Sequence, residues 1–279
     1  MSTAATPEAD PQRPATTTVT PGSPGMIVAS RIYNLILAVL GTSALAISLF
    51  NSATNEQVAS PLDGISFSLS YFTIWSNIFA FIVAWSIFAN PRRDDKIFRW
   101  LRMTSLVMIV ITGLIYAILL APSANPCGSG IYTNTVFHYI VPWATLLGFL
   151  VFGPRPRFTG DLIWKMMLIP VIWLTYTLLH GLAMIQRPGD KCAPSDKSDQ
   201  WGPSESIGEA GSWYPYPFIN PNYNDTGAPG EIIPGVTADG YTGIAINIVI
   251  VVILGLLFAS IFYGLDRWLS KGEKPSELD

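Results

Sequence analysis

The sequence predicts an all-α polytopic membrane protein, a bundle of six transmembrane helices, and three observations predict it. Half of its 279 residues are hydrophobic and only 13% are charged, about half the charged share of a soluble domain. Six apolar runs, residues 26–50, 67–89, 97–121, 131–152, 162–185 and 241–265, are each long enough to cross a hydrocarbon core of about 30 Å as a helix. Lysine and arginine are divided very unevenly among the segments that join these runs.

The elements follow in chain order. Residues 1–25 are rich in Thr, Pro and Ala and hold no apolar stretch, so they are expected to be a disordered tail rather than a signal peptide. Residues 26–268 form the membrane domain, and 269–279 are a short second tail. The first span ends at Asn51 and Ser52, and Pro61-Leu-Asp-Gly64 is expected to be a turn before the second. Asn90-Pro91 closes the second span, because proline disfavours helix at the residue before it. Pro122 and Pro126 break the chain after the third span, and Gly153-Pro154-Arg155-Pro156 separates the fourth from the fifth. Pro142 and Pro170 lie inside spans and are expected to kink them.

Charge sets the orientation. Arg13, Arg31, Arg92, Arg93, Lys96, Arg99, Arg102, Arg155, Arg157, Lys165, Arg267, Lys271 and Lys274 share one side; Arg187, Lys191 and Lys197 occupy the other. The positive-inside rule makes the first side cytoplasmic, with both termini on it, in a multi-pass protein of the plasma membrane. The long loop 186–240 is then outside and acidic. Nothing resembles a nucleic-acid-binding patch, and the basic stretch 92–102 suits anionic lipid.

Two features mark the outer face. Cys127 and Cys192 both fall there, where oxidising conditions favour a disulfide over two free thiols. The run Trp213-Tyr-Pro-Tyr-Pro-Phe218 cannot be ordinary helix. It is either an interfacial aromatic belt or a lid over an outward-facing pocket.

Buried polar residues gather at one depth. At about 1.5 Å per residue, Thr73, His138 and His180 lie roughly 8–10 Å below the outer ends of their spans. Tyr116, Asn247, Ser76, Asn77, Asn134, Tyr176 and Thr177 join them, whereas 78–83, 145–151 and 248–257 are almost wholly apolar. A polar layer in one leaflet suggests a pocket open outward or sideways to lipid; a channel would carry polar lining through both leaflets. Helix-to-helix hydrogen bonds of modest worth would also explain each residue singly.

Residue types narrow the chemistry. No metal or other cofactor is expected, since two histidines without a buried carboxylate fall short of the usual three ligands. A proton relay would use buried Asp or Glu. A hydroxyl nucleophile with a histidine base remains. Thr73 with His138 matches in depth, and Asn134, one turn before His138, could orient the ring or donate to an oxyanion. His180 with Thr177 fits nearly as well.

Two segments carry a family likeness. Tyr71-Phe-Thr73 with Ser76-Asn77, and Asn134-Thr-Val-Phe-His138-Tyr-Ile-Val-Pro142, resemble the Y-F/L-T…N and N-x3-H-x3-P segments of the androgen-induced-gene family. That family comprises multi-spanning hydrolases of fatty-acid esters of hydroxy fatty acids that use a threonine and a histidine. The resemblance places these roles on Thr73 and His138. Leu69-Ser-Tyr-Phe-Thr73, His138-Tyr-Ile-Val-Pro142 and the aromatic run also resemble a bacterial branch of six-span proteins, over roughly residues 30–268. His180 belongs to that bacterial likeness alone, and the stretches 191–212 and 221–240 have no counterpart in the eukaryotic hydrolases. The expected activity is hydrolysis or acyl transfer on a membrane lipid ester, with Asn134, Tyr116 or His180 as oxyanion donor. The alternatives are binding or transport of a small amphipathic ligand, and a structural membrane partner whose acidic loop contacts other proteins.

Overall fold

A computed structural model describes residues 23–55, 60–183, 214–221, 229–236 and 238–271, and these are helical with no strand among them. Six helical stretches are long and apolar enough to cross a membrane, which is compatible with an integral membrane protein: Pro24–Ala53, Phe72–Ala89, Lys96–Leu120, Ser129–Val151, Leu162–Ala183 and Gly240–Leu269. They match the six expected spans, with one instructive exception at the second.

Helix α1 (Pro24–Ala53) starts on Ser23, whose hydroxyl accepts from the Met26 N–H. The expected turn at Pro61 is instead the first turn of a short helix, α2 (Pro61–Leu69). Ser60 caps it, its Oγ accepting from the Asp63 N–H at 3.3 Å while its O–H donates to the Asp63 carboxylate at 2.8 Å. Proline at the first helical position lacks only an N–H that would have no partner there anyway. Ser70 closes α2, Tyr71 is extended at φ −83° and ψ 126°, and α3 (Phe72–Ala89) begins afresh. Thr73 therefore stands on the first turn of its helix.

Helix α4 (Lys96–Ile115) is the axial helix: 72% of its span is buried, against 22–44% for the other five. It continues into a π-helical turn, Tyr116–Leu120. The fourth span is α5 (Ser129–Thr135), a second π-helical turn Val136–Ile140, and α6 (Val141–Val151). Pro142 supplies no N–H to the carbonyl four residues back, that of His138, and the helix widens just before it. Pro170 acts similarly, since α7 (Leu162–Lys165) and α8 (Leu168–Ala183) are separated at Met166–Met167. Helix α9 (Gly240–Leu269) completes the bundle.

Glycines allow two close approaches. A Cβ on Gly41 of α1 would lie 1.8 Å from the Phe81 ring of α3, and one on Gly113 of α4 would lie 2.7 Å from Pro142 Cβ and 3.6 Å from the His138 carbonyl oxygen. The second contact brings α4 against the widened turn that carries His138.

The two ends of the bundle differ. At one, Arg31 donates to the Ala89 carbonyl, Trp100 to that of Lys165, and Arg157 approaches Asp266 of α9. At the other, Asn51 meets Ser129, Ser52 meets Ser68, and Asn247 holds the Phe218 and Gly230 carbonyls. The stretches 78–83, 145–151 and 248–257 are almost wholly apolar, as expected, but charge is buried at the arginine end beyond them, where no buried carboxylate is expected. Asp266 is 0% exposed, Arg157 5% and Arg102 6%. The connection 152–161 folds back beneath α6, where Arg157 donates to the Phe149 and Phe152 carbonyls left open at the helix end. The Arg157 and Phe158 N–H groups donate to Asp266 at 2.6 and 2.9 Å. A buried carboxylate thus exists, and it serves the fold by receiving these donors.

Candidate functional site

Thr73 and His138 meet across α3 and the fourth span, with Thr73 Oγ1 3.3 Å from His138 Nε2. The other ring nitrogen, Nδ1, lies 3.1 Å from the Asn134 carbonyl oxygen. A carbonyl only accepts, so Nδ1 carries the proton and Nε2 faces the threonine hydroxyl as an acceptor. The contact to the ring from the residue one turn before His138 is made by its backbone carbonyl. The Asn134 side chain instead bonds the Tyr116 hydroxyl.

Tyr116 is the floor of the ring. Its ring stacks on His138 with centroids 3.8 Å apart and planes at 14°. Both rings sit on π-helical turns, where the wider backbone shifts a side chain from its ordinary helical position. The Tyr116 hydroxyl is engaged by Asn134 and Tyr139.

Asn77 and Ser76 fasten the backbone of Thr73. Asn77 is fully buried and its Nδ2 donates to the Thr73 carbonyl at 2.8 Å and to that of Phe137 at 3.4 Å. One amide therefore ties the turn bearing Thr73 to the residue before His138. Ser76 Oγ donates to the Thr73 carbonyl at 3.0 Å and lies 2.8 Å from Thr112 Oγ1 on α4.

Tyr216 is the residue that the depth argument missed. Tyr71 makes no side-chain cap for α3. The Tyr216 phenol fills that role from the long loop, its oxygen accepting from the Thr73 N–H at 3.4 Å and bonding the Phe72 N–H and the Thr73 side chain as well. Burial pushes this phenol up to about 12, so it stays protonated. The signal lay in the proline-spaced aromatic run, which is neither exposed nor a belt over its described part. Tyr214, Tyr216 and Ile219 are buried and pack with Trp173 of α8, and Asn247 anchors the following turn. Trp213 lies outside the described residues.

His180 belongs to a neighbouring cluster. Its Nδ1 is 2.8 Å from Ser70 Oγ and its Nε2 3.2 Å from Ser66 Oγ. Thr177 does not pair with it, donating instead to the Ser70 carbonyl beside Trp173 Nε1. These bonds clamp α8 to the α2–α3 linker, three residues from Thr73. Ser70 and His180 form the shorter hydroxyl–imidazole contact, yet neither lines the cavity between α3, α4, α8 and α9 that Thr73 lines. Cys127 is disulfide-bonded; Cys192, its expected partner, lies outside the described residues.

Thr73 opens onto a cavity of about 960 Å³, counting its open mouth, between α3, α4, α8 and α9. Thr73, Thr112, Tyr216 and Asn247 put polar groups near one end; Met108, Met166, Met167, Val251 and Gly255 line the remainder. From Asn247 to Gly255 the wall descends roughly 12 Å along α9. His138 lies behind Thr73 rather than on the cavity wall. No family model matches the chain, and neither a curated protein nor a solved structure matches it.

Proposed function

We propose that this is an integral membrane hydrolase or acyl transferase of lipid esters, with Thr73 as nucleophile and His138 as base. The observation that carries this reading is Thr73, which lines an apolar cavity and whose hydroxyl lies 3.3 Å from the unprotonated nitrogen of a fixed imidazole. His138 Nε2 takes the hydroxyl proton as Oγ1 bonds to the ester carbonyl carbon. The tetrahedral adduct expels the alcohol, which leaves with the proton from Nε2, and the acyl group stays on Thr73. Water, deprotonated by Nε2, then adds to the acyl carbon and Thr73 leaves, recovering its proton and freeing the fatty acid. The Tyr216 hydroxyl, which caps the Thr73 N–H and reaches the Thr73 side chain, turns its O–H to the oxyanion that forms there. The acyl chain lies along the methionine-lined wall.

Both termini and the arginine-rich end are assigned to the cytoplasmic side of the plasma membrane, and the Tyr216 loop to the outside. Substrate then enters from the outer leaflet, between α8 and α9. The rival reading keeps the cavity as a binding or transport site for an amphipathic ligand without chemistry. A fluorophosphonate carrying a long alkyl chain distinguishes them. The hydrolase is expected to label on the peptide containing Thr73 and to lose that label in Thr73→Ala and His138→Ala. Labelling that persists in both variants contradicts the proposal.

A further inference from the structure

A second cavity, at the arginine end, gathers more hydrogen-bond donors than the protein uses. It occupies about 570 Å³ including its open mouth, between α1, α3, α4 and α6, and shares no lining residue with the Thr73 cavity. Arg102 lines it at 6% exposure, and its Nε and Nη1 are buried without a hydrogen-bond partner among the described residues. Its guanidinium carbon sits 4.5 Å from the Phe98 ring centroid, a face-on contact that uses none of its N–H groups. The hydroxyls of Ser30, Ser105 and Thr145 line the same space and are likewise buried and unpartnered among the described residues.

The charges nearby do not cancel. Arg93 pairs with Asp95, Arg99 with Asp94, and Arg157 with Asp266. Arg155 donates to the Phe149 and Leu150 carbonyls. Arg102 alone of these five arginines has neither an ion pair nor a hydrogen bond among the described residues. A buried cation is strongly unfavourable unless an anion or several acceptors face it. A partnerless guanidinium with hydroxyls able to donate beside it, around a net positive charge, fits an oxyanion, and the walls of Leu37, Val83 and Leu106 fit an apolar chain attached to it.

We propose that this cavity binds a carboxylate or phosphate group through Arg102, assisted by Ser105, Ser30 and Thr145, as the head of a single-chain amphiphile. The site is independent of any chemistry at Thr73.

The test uses the full chain purified in dodecyl maltoside and titrated with oleate, with monoolein and with inorganic phosphate, read by intrinsic tryptophan fluorescence and by melting temperature. Oleate is expected to bind saturably and raise the melting temperature, and Arg102→Met to weaken it at least about 10-fold. Monoolein, with the same chain and no charge, is expected to be indifferent to that substitution. Phosphate binding with the same Arg102 dependence supports the site and identifies a free anion as its ligand; oleate binding without phosphate binding supports it and identifies the amphiphile. Should Arg102→Met fail to fold, the double variant Ser105→Ala, Thr145→Ala carries the test, with weaker oleate binding expected. The proposal is overturned if neither oleate nor phosphate binds saturably. It is also overturned if the folded variant binds oleate as the wild type does, or loses monoolein equally.

Discussion

At the level of single residues, two histidines that look alike in sequence do different work. His138 has one nitrogen on a carbonyl and the other on the Thr73 hydroxyl, whereas the nitrogens of His180 rest on the hydroxyls of Ser66 in α2 and Ser70 in the linker that follows it. His180→Ala is therefore expected to cost about 1–3 kcal/mol, from the buried polar groups it strands. A lower melting temperature with near-wild-type turnover per folded molecule would be its signature. Tyr216→Phe should act on both, stranding the N–H that it caps and lowering kcat about 100-fold or more with little change in KM, because an oxyanion donor acts only in the transition state. Equal kcat in the two proteins would leave Tyr216 as a helix cap alone. Thr73, His138 and their shared depth were legible from span positions. Tyr216 was not, because a contact between a loop tyrosine and a helix N-terminus 143 residues away has no local signature.

Individual helices owe their limits to caps and prolines, and these explain where sequence expectation and structure part. A capped proline at residue 61 starts a helix as readily as a turn, which is why α2 was read as a turn and Phe67–Leu69 as the start of the second span. The π-helical turns were illegible because they arise from packing, with Pro142 as the only local hint. Gly113→Ala puts a methyl 2.7 Å from Pro142 Cβ. It is expected to cost about 1–3 kcal/mol through overpacking, and to lower turnover by moving His138 off Thr73. Asp95 caps α4 by accepting from the Phe98 N–H at 2.9 Å. The hydrogen-bonded Arg93 guanidinium beside it holds its carboxyl below the usual carboxylate range. A lowered folded value means that this contribution is present above the unfolded pKa, near about 4, and is lost as pH falls through the folded one. Acid should thus lower the melting temperature of the wild type more steeply than that of Asp95→Asn.

Across the whole molecule, the six spans followed from apolar length and proline punctuation, and the arginine clustering from a simple count. The inward turn of Arg157 onto Asp266 did not, because hydropathy assigns both to span edges and cannot see a loop folding back beneath a helix end. Asp266→Asn removes one partner of this buried pair and is expected to cost about 3–5 kcal/mol, seen as a large fall in melting temperature in detergent. Reporter fusions at either terminus should be active only on the cytoplasmic side, and one in the 186–213 stretch only outside. The most direct test of the catalytic account is hydrolysis of 4-nitrophenyl decanoate by the purified protein. Wild type is expected to turn over, Thr73→Ser to retain activity, and His138→Ala to lose about 100- to 10,000-fold in kcat. Thr73→Ala should fall to the uncatalysed rate. A Thr73→Ala protein that hydrolyses the ester as fast as wild type, or a wild type no faster than that variant, would contradict it.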